Sequence, residues 1–358
     1  MCSSDPPARA AGPWFVAPGG SNSGSCLSAA SPCATLTGVL AKPGVAAGDT
    51  VNVAPGTYTD RPAVTKQVKV VGTGPNVVFQ GGGTGSATWA LAVNTSGNVE
   101  LRNLTLTGGT YAAGGALPVV TATVKAYDVA ITSSTAIAGA GVYVYSGSLE
   151  MYGGRIAGNK ATATSGNATG WGGGAYVAAA GSLLLDGVTV ENNKADGAGF
   201  ASVTVGGGVA SAGPLTVRNT TFRNNAVLTA APTANTGYGG AIYSSNAATS
   251  VTGSTLTANT ATFGGALANG AAATVTGTDV RTNTAMVGGG FYAGGALTVT
   301  RSTLAANTAT VNYGGGVYAV GPLALDDTDV TGNSAPTGGG GVYSAATTTT
   351  IRNGSTVS

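Results

Sequence analysis

The chain has 358 residues, of which 61 are glycine and only 8% are charged; its formal net charge is +2 and it contains no histidine. Its lysines and arginines are scattered singly rather than gathered in a basic stripe, which argues against nucleic-acid binding, and no apolar run approaches the roughly 18 residues of a membrane-spanning helix. The lack of histidine excludes Ser-His catalytic triads and imidazole metal sites.

The first twelve residues predict a flexible tether. Residues 1–12 are rich in Pro, Ala and Ser and show no periodicity. The start, MCSSDPP, resembles a mature bacterial lipoprotein, in which the first cysteine carries the lipid and a polar tether follows. This resemblance implies lipidation at Cys2. An incidental N-terminal cysteine is the alternative.

Two further cysteines enclose a short Ser-rich loop. Cys26 and Cys33 are seven positions apart, a spacing that predicts a local disulfide in an exported protein. Closing so small a loop contributes about 2–3 kcal/mol by chain-entropy estimates. Two reduced thiols in a cytosolic protein are the alternative.

Residues 13–60 predict an N-terminal cap and a first coil. An amphipathic helix is expected at 34–40, with Leu36, Val39 and Leu40 on one face, and a strand and turn follow at 48–58. In the order of its elements and in its turn residues, this block resembles the N-terminal opening of pectate-lyase-like right-handed parallel β-helices. The resemblance implies a cap that covers the strand edge and the apolar core of the first coil.

Strands continue with irregular spacing through 61–140, and a regular repeat occupies 141–358. Seven copies open on a glycine pair, and six of them close on an asparagine. The second glycines are Gly174, Gly208, Gly240, Gly265, Gly290, Gly316 and Gly341, so the last four steps are 25, 25, 26 and 25 residues. The closing asparagines are Asn159, Asn193, Asn225, Asn259, Asn283, Asn307 and Asn333. Because strand-forming repeats of this length stack as solenoids, the period predicts one continuous array.

These observations together predict an all-β fold, a single-stranded right-handed parallel β-helix whose N-terminal cap contains a short helix. Equivalent apolar residues of successive coils are expected to stack, with Leu297 and Val299 above Val275 and with Thr298 facing outward. The asparagines are expected to form an internal hydrogen-bonded ladder. The paired glycines are expected to permit positive φ at a tight corner.

Tyrosines recur two residues after the glycine pair, which predicts an aromatic column. Its members are Tyr143, Tyr176, Tyr292, Tyr318 and Tyr343, and the same offset places Ile242 and Leu267 in the column. The pattern leaves open whether the column faces the core or the solvent. If it is exposed, Tyr292, Tyr318 and Tyr343 are the candidate ligand-binding residues.

Two short sequence motifs show a second resemblance. Residues 222–225 read FRNN and residues 239–242 read GGAI, which is similar to the F-x-x-N and G-G-A-[ILV] signatures of polymorphic outer-membrane protein repeats. In that family these repeats form bacterial surface β-helices, mostly adhesins. The other copies in this chain replace the phenylalanine with an aliphatic residue.

The resemblance implies a non-catalytic protein of the bacterial outer-membrane surface that acts in adhesion or glycan contact and needs no cofactor. Its expected partner is a glycan or the surface of a host or neighbouring cell, and any membrane contact is through the lipid at Cys2. The chain stops two residues before the next ladder asparagine is due, which predicts a truncated repeat region. An uncapped last coil predicts end-to-end self-association.

A polysaccharide lyase or glycoside hydrolase is the alternative, because many right-handed β-helices are enzymes of this kind. A lyase would need carboxylates for Ca²⁺ and a base. The candidates are Asp279, Asp326, Asp327, Asp329, Arg281 and Arg301. Asp279 and Asp329 are expected in one column, two coils or roughly 10 Å apart, close to the spacing of about 5–9.5 Å in glycosidases. The third hypothesis is a passive structural stalk at the cell surface.

Overall fold

The computed structural model describes residues 12–83, 88–163, 170–197, 203–229 and 237–358. In these ranges the chain winds into coils, and each complete coil adds one strand to each of three parallel sheets, here called A, B and C. The chain runs from sheet A through sheet B to sheet C before it returns to sheet A one coil further on.

The three sheets contain most of the strands. Sheet A consists of Pro13–Val16, Thr50–Val53, Lys69–Gly72, Asn98–Arg102, Thr123–Tyr127, Ser148–Tyr152, Ser182–Asp186, Leu215–Arg218, Thr249–Thr252, Ala273–Thr276, Leu297–Thr300, Leu323–Asp326 and Thr349–Arg352. Sheet B consists of Gly56–Tyr58, Val77–Gln80, Thr105–Thr107, Ala130–Thr132, Arg155–Ala157, Thr189–Glu191, Thr221–Arg223, Thr255–Thr257, Asp279–Arg281, Thr303–Ala305, Asp329–Thr331 and Thr356–Val357. Sheet C consists of Ala63–Val64, Ala92–Val93, Leu117–Val119, Val142–Val144, Ala175–Val177, Val209–Ser211, Ile242–Ser244, Leu267–Asn269, Phe291–Ala293, Val317–Ala319 and Val342–Ser344.

Short strands between sheets B and C extend the pairing at that corner. They are Thr135–Ala136, Lys160–Thr162, Lys194–Gly197 and Ala226–Thr229 in one ladder, Thr204–Val205 with Gly237–Tyr238, and Thr284–Ala285 with Thr308–Ala309.

The core consists of inward side chains that repeat from coil to coil. In strand Leu297–Thr300, Leu297 and Val299 are buried and Thr298 is exposed. Val299 lies between Val275 on one neighbouring coil and Leu325 on the other, as expected. Burying one such side chain contributes about 1.5–3 kcal/mol. Stacking therefore gives each coil a core that it cannot form alone.

The asparagines form a continuous buried ladder at the corner between sheets B and C. Asn225 Oδ1 accepts hydrogen bonds from the backbone N–H of Asn193 at 3.1 Å and from its side-chain amide at 3.0 Å. Asn225 Nδ2 donates to Asn259 Oδ1 at 3.0 Å and to the Val190 carbonyl at 2.9 Å. The same links connect all seven residues from Asn159 to Asn333. The ladder therefore supplies hydrogen-bond partners to backbone groups that lie at the corner, outside the sheets.

A second ladder, of hydroxyl groups, lies at the corner between sheets A and B and was not anticipated from the sequence. Ser302 Oγ accepts from the backbone N–H of Thr278 at 3.1 Å, and Thr278 Oγ1 donates to the Thr276 carbonyl at 3.0 Å. Thr220, Ser254 and Thr328 hold equivalent positions. Two of the three corners are thus held together by side chains.

The glycine corner before sheet C corrects one expectation. In the copy at 239–242, Gly239 has φ of +69°, whereas Gly240 is not in the left-handed region. A Cβ on Gly240 would run into the carbonyl oxygen of Gly265 on the next coil. The two glycines therefore have different roles, because the first permits the turn and the second permits the close approach of the coils.

The N-terminal end is capped as the resemblance implied. The helix spans Leu36–Leu40, with Thr35 as its N-cap and with Leu36, Val39 and Leu40 buried. The predicted Cys26–Cys33 disulfide is present and fully buried, and Cys33 pairs in parallel with Val16, beside the first strand of sheet A. The cap therefore covers that edge of the sheet. Cys2 lies outside the described residues.

The last strands are more open. Ile351 and Val357 are 46% and 44% exposed, so apolar surface faces solvent at this end of the described stack. End-to-end self-association through this surface stays a prediction.

Asn225→Ala should strongly destabilise the middle of the stack. The substitution leaves the backbone N–H of Asn193 and the Val190 carbonyl without their side-chain partner, and it removes one of the two hydrogen bonds of the Asn193 amide and of Asn259 Oδ1. Unsatisfied buried groups cost about 1–3 kcal/mol each. We expect a loss of about 3 kcal/mol in local stability, measured by hydrogen exchange of the amides of the neighbouring coils. The control is Asn224→Gly, at an adjacent position with φ of 55°, which should change the stability by less than about 0.5 kcal/mol. Equal effects of the two variants would contradict the ladder's role.

Candidate functional site

The outer side of sheet C is defined by the middle residue of each three-residue strand. In Phe291–Ala293, the first and third side chains are buried and Tyr292 between them is half-buried. The same inward-outward-inward pattern holds for Val142–Val144, Ala175–Val177 and Val317–Ala319. Because side chains alternate across a strand, the tyrosine rings lie on the solvent side of the sheet.

The strand register aligns these middle residues into one column. From coil to coil it contains Pro118, Tyr143, Tyr176, Ala210, Tyr243, Ala268, Tyr292, Tyr318 and Tyr343. We call this outward side of sheet C, with its six tyrosines, the tyrosine face. The expectation that Ile242 and Leu267 belong to the column is wrong, since both side chains are buried in the core.

The error has a structural cause. The corner before each strand has three residues, and some copies fill it with Gly-Gly-Ala instead of Gly-Gly-Gly. Counting from the second glycine therefore shifts those copies by one residue and misses Tyr243. Counting from the glycine with positive φ, such as Gly172 or Gly239, would have found it.

A second column lies at the corner that precedes sheet C, and three of its five residues are aromatic. In chain order the column consists of Trp171, Val205, Tyr238, Phe263 and Val287, which pair in parallel on successive coils. Their side chains lie beside the tyrosine column, so two adjacent columns contribute rings to the same surface.

The rings form a stacked cluster over the C-terminal coils. Tyr292 and Tyr318 are parallel at 5.6 Å between ring centroids, and Tyr318 and Tyr343 are parallel at 5.2 Å. Phe263 lies 4.9 Å from Tyr238 and 5.2 Å from Tyr292. Each such pair contributes about 0.5–1.5 kcal/mol beyond the area that it buries. The cluster therefore holds its rings in place before any partner binds.

A smaller cluster lies toward the N-terminal end. Tyr143 and Tyr176 are 5.1 Å apart, and Trp171 is 5.1 Å from Tyr176. Between Tyr176 and Tyr243 the column contains Ala210, and an open cleft of about 270 Å³ lies at this point. We call this cleft the Ala210 notch.

Four of the six tyrosines of this face have a raised pKa. Burial, with smaller contributions from Tyr176 and Tyr145, raises the pKa of Tyr143 to about 12. Burial likewise raises the pKa of Tyr176, Tyr243 and Tyr292. None of the eleven strands of sheet C contains a charged residue. The strands of sheet C therefore contribute no carboxylate, ammonium or guanidinium group to this face.

Sheet A presents a different, charged surface near the N-terminal end. Lys69, Glu100, Lys125 and Glu150 form one outward column and line a groove of about 520 Å³. Lys125 Nζ is 3.6 Å from Glu150 Oε2. This column alternates in charge, unlike the tyrosine face.

An aromatic pair lies next to this groove. Tyr127 and Tyr152 stack at 5.2 Å, and the Arg102 guanidinium lies 3.9 Å from the centre of the Tyr127 ring. The Tyr152 hydroxyl donates to Glu150 Oε2 at 2.8 Å, a hydrogen bond that is the main reason why the pKa of Tyr152 is raised. This group was not predicted from the sequence, although Arg102, Tyr127 and Tyr152 follow one another at steps of 25 residues.

Two of the predicted acidic candidates lie in one column, and each has a partner within the protein. Asp279 and Asp329 do share a column on sheet B, with Thr303 between them. Asp279 forms an ion pair with Arg281, however, and Asp329 accepts a hydrogen bond from the Thr356 hydroxyl at 2.6 Å. Both carboxylates thus have local partners.

The remaining candidates lie at the end of sheet A and the corner after it. Asp326 pairs with Arg352 at 3.2 Å. Asp327 and Arg301 are the left-handed residues of successive corners, with φ of 50° and 46°. Within the described ranges, no three acidic or cysteine residues are grouped so that they could hold a metal ion. A calcium site of the kind that a lyase would need is therefore not found at these positions.

Comparison with known proteins establishes the family. The model of the right-handed β-helix region matches residues 89–285, which is more than half of the chain. The chain therefore belongs to the right-handed β-helix family, and the predicted fold class is confirmed. No helix in the described part of the chain is long and apolar enough to cross a membrane.

Individual relatives are distant. Among solved structures, the chain is similar to an alginate lyase from Paenibacillus sp. str. FPU-7, with 17% identity over 87% of this chain and 97% of that chain and a TM-score of 0.40. A likeness at this level says nothing about what this chain binds or cleaves. A search of curated protein sequences finds no match.

The buried phenols predict a loss of stability at high pH. A raised pKa means that folding favours the neutral phenol, so this stabilisation is complete below the unfolded pKa of about 10 and is lost as the pH rises through about 12. Denaturant unfolding at a series of pH values should show the free energy of unfolding falling over this interval. Phenolate absorbance should show a group of tyrosines titrating late.

The Tyr143→Phe variant isolates the contribution of the tyrosine face, because Tyr58 in the first coil also has its pKa raised to about 12. The variant should show a shallower fall in stability between pH 10 and 12. Titration of every tyrosine near its ordinary pKa would contradict this account.

Proposed function

We propose that this protein is displayed outside the cell and binds a glycan or another cell's surface through its tyrosine face, without catalysis. The observation that carries the proposal is the column of six half-buried, outward tyrosines. An aromatic ring offers an apolar body for stacking and a hydroxyl for hydrogen bonding. Tyrosine is accordingly enriched in protein interfaces.

The dimensions of the face suit an extended partner. Sheet C has eleven strands, and a spacing of about 4.8 Å between strands gives a surface roughly 50 Å long. Because the stacked rings already contact one another, little side-chain entropy remains to be lost on binding. The absence of charge on the strands favours a neutral partner surface, and contact with it should depend little on salt.

The compartment is also a proposal. The buried Cys26–Cys33 disulfide favours an oxidising environment outside the cytosol. Together with the resemblance to polymorphic outer-membrane protein repeats, it supports an adhesin on the bacterial surface, held there by a lipid at Cys2. No cofactor is required for this role.

Tyr318→Ala should weaken surface binding without unfolding the protein. The ring stacks on Tyr292 and Tyr343, and truncating an aromatic anchor of an interface costs about 2 kcal/mol or more. We expect at least about a tenfold loss of binding of the purified, labelled protein to cells, measured by flow cytometry with and without glycosidase treatment of the cells.

The matched control is Thr298→Ala, on sheet A of the same coil region, which should bind like the wild-type protein. If Tyr318→Ala and Thr298→Ala bind equally well, the tyrosine face is not the contact surface.

A polysaccharide lyase remains the second candidate, and the groove on sheet A is the observation that favours it. Elimination from a uronate needs a base and a cation that neutralises the carboxylate. Lys125 lines this groove, and Arg102 lies outside its lining, over the ring of Tyr127. Ca²⁺ would be a cofactor only in this role.

An elimination assay separates the two candidates. We expect no absorbance of unsaturated uronate products when the protein is mixed with alginate or polygalacturonate, with or without Ca²⁺. A signal that is lost in Lys125→Ala but kept in Lys194→Ala, an exposed lysine of the short ladder between sheets B and C, would replace the binding proposal with a lyase.

A further inference from the structure

The tyrosine column has alanine at two of its positions, and only one of them leaves room for a ligand. At Ala268 the neighbouring rings close the gap, since Phe263 of the same coil lies 5.2 Å from Tyr292. At Ala210 the corresponding corner residue is Val205, which has no ring to fill the space. The Ala210 notch of about 270 Å³ therefore interrupts an otherwise stacked aromatic surface.

The notch has aromatic walls, an apolar floor and a polar rim. Trp171 and Tyr176 lie on one side and Tyr243 on the other, Ala210 and Val205 lie below, and Asn246 lies at the edge. Within the described part of the chain, the lining contains no charged side chain. It therefore combines ring faces for stacking with groups that can form hydrogen bonds.

The polar groups at the notch are available to a ligand. Among the described residues, the Trp171 indole N–H, the Tyr176 and Tyr243 hydroxyls and the Asn246 amide form no hydrogen bond with the protein. A ligand rich in hydroxyl groups can satisfy such donors and acceptors while its carbon-bound hydrogens pack on the rings.

We propose that the Ala210 notch binds one ring of a neutral oligosaccharide, with the rest of the glycan lying along the tyrosine face. This inference rests on the proposed function and names its ligand class. Tyr176 and Tyr243 are two strand spacings apart, roughly 10 Å, which leaves the width of one ring between them. The volume is just below the range of about 300–1,000 Å³ for drug-sized ligands, so a single sugar ring fits better than a larger group.

The lining disfavours other ligand classes. An acidic sugar would lose hydration without gaining an opposite charge, which is costly in an apolar site. A peptide cannot bind here by strand addition, which needs an open sheet edge, because the strand that contains Ala210 is already paired on both sides. A neutral glycan meets neither obstacle.

The test fills the notch with the residue that most other coils have at this position. Ala210→Tyr should stack between Tyr176 and Tyr243 and fold normally, which circular dichroism checks. The probes are neutral glucose hexamers with β-1,4 or α-1,4 linkages and an acidic uronate hexamer, titrated by calorimetry. We expect the wild-type protein to bind a neutral hexamer in preference to the acidic one, and Ala210→Tyr to weaken that binding at least about tenfold.

Two further variants distinguish a failure of the notch as a sugar site from a failure of the proposed function. Trp171→Ala should weaken binding of the neutral hexamer as Ala210→Tyr does, and Tyr318→Ala should weaken it far less. If Ala210→Tyr binds the hexamer as tightly as the wild type, or if no neutral hexamer binds, the notch is not a sugar site. Loss of cell binding in Tyr318→Ala would still support the tyrosine face in that case. If Tyr318→Ala also retains cell binding, the proposed function fails as well.

Discussion

The structure depends on the in-register stacking of parallel coils. Each strand hydrogen-bonds to the equivalent strand of the next coil, about 4.8 Å away. Equivalent residues of successive coils therefore align in a column. Strands alone do not hold this register at the corners, where the backbone leaves the sheets. There the buried Asn225 and its equivalents bridge coil to coil between sheets B and C, and hydroxyls such as that of Ser302 do so between sheets A and B. Because the register is kept from coil to coil, each outward column has its own surface chemistry.

The outward columns differ between sheets. Sheet C has uncharged strands and a stacked row of tyrosines, whereas sheet A near the N-terminal end has alternating lysine and glutamate beside stacked tyrosines. The first column is uncharged, and the second contains opposite charges in contact, such as Lys125 and Glu150. A small residue in a column of large side chains leaves a cleft, unless a neighbouring ring fills the space. Ala210 and Ala268 show the two outcomes on the same face.

The sequence predicted the features that repeat with a strong chemical signal. The period, the asparagine ladder, the inward stacking of Val299 and the capping helix at Leu36–Leu40 follow from residue type and spacing. The hydroxyl ladder was missed because Ser and Thr are so common in this chain that their recurrence at one corner does not stand out. Tyr243 was missed because a Gly-Gly-Ala corner shifts the count by one residue. The Ala210 notch depends on which rings lie on adjacent coils, and that requires the register of the whole sheet.

Hydroxyl-radical footprinting of the protein bound to intact cells, read by mass spectrometry, tests most directly which surface makes contact. Oxidation of tyrosines reports their exposure on two sheets at once, since Tyr292 and Tyr318 lie on sheet C and Tyr127 and Tyr152 lie on sheet A. The account predicts that binding protects the sheet C tyrosines and leaves those of sheet A unchanged. Protection of Tyr127 and Tyr152 with no change at Tyr292 and Tyr318 would contradict it and would place the functional surface on the charged groove.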